Sequence, residues 1–413
     1  MSFGFKSFKF LAVLSLSLFL LPAVTPAQHY KQTDLVSDIP GMAPVTDPNL
    51  LNPWGLTRSP NGSPWWIGNN NSGTSTLYNG SGNAAGNFPD PHPDSNGNGI
   101  NSPFNNFVMV PPPGFAPGTQ SAPTGVVFNG STTDFLLVPG VTGTQAVFIF
   151  VTEDGTISGW NPGVGVAAGA KPPSVNAVLK VDNSQNGGPN GAVYKGATSG
   201  EIDGHKFLYV TNFRSAKVEV YDTNFNRLHL DDDAFDPNGD GDHDRDDQGT
   251  ERVPHGFAPF NIQNIGGILF VTYAKQDAPR HDPVGGDGFG YVVLFTPSGH
   301  VIGHLQHGDW LNAPWGVVWT TRDFGEYSNA ILVGNFRSGW IAAYNGFTHK
   351  FIDFVRNGDG SLMTIDGLWS LTFGNDGSAG LANTLYFTAG PNNENDGLFG
   401  TITPIDGLDG DEE

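Results

Sequence analysis

Cysteine is absent from all 413 residues. That excludes disulfides, thiolate nucleophiles and cysteine-ligated metals together. Basic residues are scarce, with 19 Lys and Arg against 40 Asp and Glu and a formal charge of -21. A surface of that sign repels phosphate backbones, which rules against nucleic acid as a partner, and it favours cations. No stretch carries a sustained 3.6-residue apolar period, so a helical bundle is excluded. Long apolar runs are missing except at the extreme N-terminus. Also missing are a Gly-x-Ser-x-Gly elbow, a His-Glu-x-x-His helix and a phosphate loop, the local motifs that would fix a mechanism by themselves.

What is present in quantity is Gly 57 and Pro 31, with 38% hydrophobic residues. That is enough apolar material for a core and many turns between short strands. The run Phe10 to Leu21 follows Lys6 and Lys9 and leads into Pro22 to Ala27. This order predicts a secretory signal over residues 1–27, cleaved after Ala27, because the run is shorter than the roughly 20 residues a membrane span needs. Its removal deletes two lysines and no acids, taking the charge to -23. The expectation is a secreted or periplasmic monomer with no membrane span after cleavage.

The hairpin Phe207 to Asp222 contains an Asn-x-x-Ser turn, repeated closely at Ile331 to Asn345 and loosely at Trp66 to Asn79. A hairpin recurring at wide spacing marks a repeat fold. Grouping each copy with its neighbours gives five units of four strands and a sixth, Leu368 to Ile402, with three. The unassigned alternating segment Tyr30 to Ser37 would supply the missing strand and close a ring, removing the exposed edge. The predicted fold is therefore all-β, a six-bladed β-propeller with four-stranded blades over residues 28–404, with an acidic insertion at 231–251 and an acidic tail at 405–413. A pair of β-sandwich domains would leave the one-strand deficit unexplained.

In such a blade the start of the first strand, the turn between the second and third, and the link to the next blade share one face. Three sets of residues fall there. The first is an aromatic collar at the starts of the innermost strands: Trp54, Tyr194, Phe260, Trp315 and Trp369. These rings suit either stacking on a flat ligand or packing between blades. The second set is Asn69, Asn212 and Asn335 of the repeated turn, with Arg214 and Arg337 two residues beyond the last two. They suit ligand contact, although an Asn in a tight turn also bonds its own backbone. The third is the calcium-loop pattern Asp236, Asn238, Asp240, Asp242, Asp244 and Asp247, with Gly241 at the turn position. Its oxygen ligands at alternate positions predict bound Ca2+. A shorter stretch, Asp94 to Ile100, lacks the terminal carboxylate. His255, His281, Asp277 and Asp282 on the same face are the general acid/base candidates.

At Asn52 to Leu56, Gly256 to Gln263 and Val271 to Asp277 the chain resembles an uncharacterised family of exported bacterial proteins. More distantly, and in architecture only, it is similar to NHL-type propellers and to the regucalcin/gluconolactonase group. The second resemblance implies a divalent cation at the channel mouth, with Asn69, Asn212, Asn335 and Glu153 the nearest residues, and lactone or ester hydrolysis. The functional expectation is a calcium-stabilised propeller that binds a carbohydrate or aromatic small molecule at its upper channel mouth, without an organic cofactor. The alternative is a metal-dependent hydrolase working at the same mouth.

Overall fold

The structure is a computed structural model that describes residues 29–86, 88, 105–115, 119–166, 169–185, 190–239 and 252–405. The signal segment, the Asp94 stretch, the acidic tail from residue 406 and the calcium-loop positions Asp240, Asp242, Asp244 and Asp247 lie outside these residues.

Six antiparallel sheets stand in a ring. Blade one orders its strands Pro53–Thr57, Trp65–Asn69, Thr74–Tyr78 and Phe107–Met109 from axis to rim, and blade two runs from Pro123–Phe128 to Val178–Asp182. Blade three shows three strands, Tyr194–Ile202, His205–Asn212 and Lys217–Tyr221. In place of a fourth strand, its outer segment at 227–230 shows a bridge between Tyr221 and Arg227 and a bond from the Leu228 amide to the Val220 carbonyl (2.8 Å). Blades four and five are four-stranded, with a short extra strand, Pro283–Val284, on blade four. In blade six, Leu368–Phe373, Leu385–Ala389 and Leu398–Pro404 receive Tyr30–Ser37 antiparallel at the rim, from Tyr30 opposite Pro404 to Ser37 opposite Leu398. The ring is thus closed by the N-terminal strand, as the count of strands required.

The strands read as continuous apolar or small runs because blades stack face to face, so both sides of the inner sheet are covered. Trp65–Asn69 is buried at every residue, whereas the rim strand Val178–Asp182 is half-buried to exposed. Each innermost strand neighbours the next around the axis, and the last neighbours the first. Such proximity needs a residue without a side chain at the contact: a Cβ on Gly55 would lie 2.3 Å from the Thr124 carbonyl oxygen, and one on Gly316 2.5 Å from that of Trp369. Proline opens three of the innermost strands, at Pro53, Pro123 and Pro314. It costs little there, since a first residue can go without donating to the ladder.

Every innermost strand also carries a register shift near its start, in five of the six just after the first paired residue and in blade four after the third, Pro259. A bulge of this kind bends the strand and re-aims a side chain. The paired residues are Pro53, Pro123, Tyr194, Pro259, Pro314 and Leu368, so the bulged residues aimed at the axis are Trp54, Thr124, Lys195, Phe260, Trp315 and Trp369. Blade three therefore contributes Lys195, not Tyr194, to the collar.

Candidate functional site

The collar rings pack against one another across the axis. Trp54 stacks on Trp369 with ring centroids 3.5 Å apart, and Phe336 stacks on the other face of Trp369 at 3.9 Å. Trp315 and Phe260 meet Trp54 edge-on at 6.2 and 6.3 Å. All are buried. The aromatic set thus forms a plug, with polar anchors: the Trp315 Nε1–H donates to the Lys195 carbonyl (3.0 Å) and the Trp369 Nε1–H to Asn52 Oδ1 (3.0 Å). Tyr194 lies away from it, in the packing between blades two and three, where its hydroxyl meets Tyr221, Glu219 and Asn183.

Lys195 rises from this plug into a ring of side chains supplied by the turns between second and third strands. Its side chain is 0% exposed. The Nζ lies 5.1 Å from the Trp54 ring centroid and 5.8 Å from that of Phe213. The ammonium pairs closely with Glu153 Oε1 from blade two and lies 3.3 Å from Asp282 Oδ1 of blade four. Asn70 of blade one donates its Nδ2 to Glu153 Oε2 at 2.7 Å. His281 Nδ1 and Asp282 Oδ1 are 2.9 Å apart. Blade five supplies Phe336 and Arg337, and blade six supplies Glu394.

The surroundings of each carboxylate differ. The bond to His281, joined by the Lys195 charge, holds Asp282 well below the usual carboxylate range, and that same bond raises His281 above an ordinary imidazole. Burial pushes Glu394 up, and the Glu153 charge pushes it further. Asp154 is also raised by burial, while its Oδ2 accepts the Ala122 amide at 2.8 Å. Among the described residues, Glu153, His281 and Asp282 form the group whose ligand atoms all lie within 4.8 Å of one another. A divalent ion would suit such spacing, yet the Lys195 ammonium already stands between the two carboxylates and supplies the positive charge.

The turn asparagines are taken up by neighbouring backbone and side-chain groups away from the mouth. Asn69 donates to Thr74 and Thr76 hydroxyls, the Asn212 Oδ1 accepts the Val193 and Ser215 amides, and the Asn335 Oδ1 accepts the Asn312 amide. It is the residue after each, Asn70, Phe213 and Phe336, together with the equivalent Glu153, that meets the mouth. Alternation along an extended chain explains the offset: a one-residue step reverses the side-chain direction. Arg214 donates to the Gly191 carbonyl, and Arg337 donates to that of Pro283 while covering the Phe336 ring at 4.5 Å. Of the acid/base candidates, His281 and Asp282 are in the site. The Asp277 Oδ1 accepts the His281 amide at 2.7 Å and shapes their loop, whereas His255 is exposed and lines a separate cleft with Asp236, Asn238 and Tyr273. Within the calcium-loop pattern, the Asp236 Oδ1 accepts the Asn238 amide, and the Asn238 side chain pairs both ways with the Val253 backbone.

Sequence reasoning passed over Lys195, Asn70 and Glu394. For Lys195 a signal was available: Gly196 matches Gly55, Gly125 and Gly316, so the preceding residues Trp54, Thr124, Lys195 and Trp315 are equivalent. Glu394 had none. It ends the turn Pro391–Glu394, in which Asn392, Asn393 and Glu394 have φ of 56°, 57° and 68°.

The fold and this convergence define a six-bladed β-propeller with a plugged channel and one polar mouth. The chain is 29% identical over 390 residues to uncharacterized protein R648 of Acanthamoeba polyphaga mimivirus, covering 90% of this chain and 80% of that one. It is 30% identical over 291 residues to uncharacterized protein R640 of the same virus, covering 69% of this chain and 48%, about half, of that protein. No family model matches. Similar solved structures include an alpha-L-arabinanase from Penicillium chrysogenum (12% identity, TM-score 0.45, covering 92% of this chain and 99% of that one). A PQQ-bound aldose sugar dehydrogenase from Streptomyces coelicolor is another (11%, TM-score 0.44, 92% and 98%). Virginiamycin B lyase from Staphylococcus aureus is a third (10%, TM-score 0.41, 91% and 100%).

Proposed function

We propose that the protein is a ligand-binding propeller, and that the ligand is a hydroxyl-rich small molecule of the carbohydrate class held at the polar mouth. The observation that carries this reading is the convergence of Asn70, Glu153, His281, Asp282 and Glu394, from four blades, around the Lys195 ammonium. Carboxylates accept hydroxyl protons strongly, and amides supply both donors and acceptors, which together match a sugar's alternating groups. The packed rings beneath, all buried, fix the positions of these polar groups.

The test is a glycan array probed with the intact protein, followed by titration calorimetry on any retained sugar. The Asp282 side chain is 58% exposed, so Asp282→Asn should fold normally. It should weaken binding about tenfold or more, the effect of removing a charge-assisted hydrogen bond worth roughly 1.5–3 kcal/mol. An empty array, or equal affinity in the variant, overturns the reading.

Export and calcium at the acidic link belong to the same proposal. The repeated carboxylates from Asp236 to Asp247 would repel one another without a counter-ion. Chelation with EGTA should then lower the melting temperature by several degrees, since an ion at about a hundred times its Kd contributes about 2.7 kcal/mol. An unchanged melting curve removes calcium from the account.

A further inference from the structure

Two acidic side chains of the mouth, Glu153 and Glu394, are placed in opposite surroundings. Glu153 receives the Lys195 ammonium on Oε1 and the Asn70 amide on Oε2. The Glu394 Oε2 accepts one bond, from the neutral Asn52 Nδ2 at 3.2 Å. Glu394 is also brought to the mouth at an energetic cost. Three successive non-glycine residues, Asn392, Asn393 and Glu394, lie in the left-handed region, where the Cβ of an L side chain crowds the following carbonyl oxygen. Asparagine tolerates that region better than glutamate does.

The turn is fastened at several points. The Asn392 amide donates to Asp366 Oδ2 (2.9 Å), the Asn71 Nδ2 donates to the Glu394 carbonyl (2.6 Å), and the Glu394 amide donates to the Gly390 carbonyl (3.1 Å). Asn52, itself left-handed at φ 45°, links the collar to the carboxyl: it accepts from Trp369 Nε1 and donates to Glu394. Strain held in place by this many contacts is a mark of a functional position. Two carboxyl groups in such different surroundings, one bonded to an ammonium and one to a neutral amide, divide into a base and an acid.

We propose that the mouth hydrolyses a glycosidic bond, with Glu394 as proton donor to the leaving oxygen and Glu153 as the ionised partner; this rests on the carbohydrate reading above. The Glu394 carboxyl gives its proton to the bridging oxygen as the acetal C–O bond breaks, and the bonding pair leaves with that oxygen. A water molecule adds to the acetal carbon and passes its proton to the Glu153 carboxylate, which retains free lone pairs beside its two hydrogen bonds. Solvent returns the proton from Glu153 to Glu394. One water is consumed, both products carry hydroxyl groups, and no redox partner is involved.

The experiment screens 4-nitrophenyl α- and β-glycosides of common hexoses and pentoses, together with any oligosaccharide retained by the array, using the full chain and Glu394→Gln. Wild type is expected to cleave at least one. On an oligosaccharide the variant should lose about a hundredfold or more in kcat, the usual share of general acid catalysis. On the matching 4-nitrophenyl glycoside, whose leaving group needs little protonation, it should lose much less. A merely structural role would lower both alike, and that outcome overturns the assignment. Glu394→Asn separates function from folding, because it should relieve the left-handed strain and raise the melting temperature while abolishing oligosaccharide cleavage. Sugar binding without turnover by wild type overturns this inference and leaves the binding reading standing. An empty array overturns the binding reading first.

Discussion

Replacing Lys195 by methionine should destabilise the protein by about 3–5 kcal/mol, as expected when one partner of a buried ion pair is removed. The stem of the side chain is conserved in that change, so packing against Trp54 and Phe213 is largely retained and the loss is electrostatic. What remains is the Glu153 carboxylate, 12% exposed, with the Asn70 amide as its remaining partner and Asp282 nearby. Urea unfolding of both proteins measures the difference. The double variant Lys195→Met with Glu153→Leu should recover much of it, because a matched apolar pair leaves no stranded charge. A single variant within about 1 kcal/mol of wild type would mean that the ammonium is solvated and does not hold the mouth together.

Trp369→Ala should cost a comparable amount, about 3–5 kcal/mol, by emptying the centre of the plug. The indole is fully buried between Trp54 and Phe336, and the surrounding inner strands are tied into the ring too firmly to collapse into the gap. Trp369→Phe keeps the stack and removes chiefly the bond to Asn52, a loss of about 1 kcal/mol. Both variants free Asn52 and hence loosen Glu394, so each should also weaken any ligand retained at the mouth. Calorimetric unfolding and binding measured on the same preparations would show the coupling. If Trp369→Ala unfolds like wild type, the rings are not a packed plug and the channel is open to ligands.

The two expectations meet at one place, where the plug and the mouth share residues. Lys195 belongs to both, being a collar residue by register and an ion-pair partner by reach. Asn52 belongs to both through its two hydrogen bonds. The aromatic collar therefore acts less as a stacking surface than as a rigid base that fixes where the polar groups point.

Much of this was written in the order of residues. Alternating and continuous apolar runs, separated by glycine and asparagine turns, count out the blades, and the sixth unit lacks one strand that Tyr30 to Ser37 supplies. Hydrophobic pattern and chain polarity determine those features, because strand alternation and antiparallel pairing are local rules. The same rules placed the starts of first strands and the second-to-third turns on one face, which is where the site lies.

The tertiary structure decided what local rules do not reach. A bulge advanced the collar by one residue, so blade three presents Lys195, a residue that composition alone assigns to the surface. The burial of that lysine follows from carboxylates more than 40 residues away in either direction along the chain, Glu153 and Asp282. The left-handed turn at Asn392 to Glu394 follows from bonds to Asp366 and Asn71. The sequence by itself determined the blades, their number and the face that matters; closure of the ring determined which side chains meet there, because only then do turns from blades two and four reach a single ammonium while blade one bonds the first of its carboxylate partners.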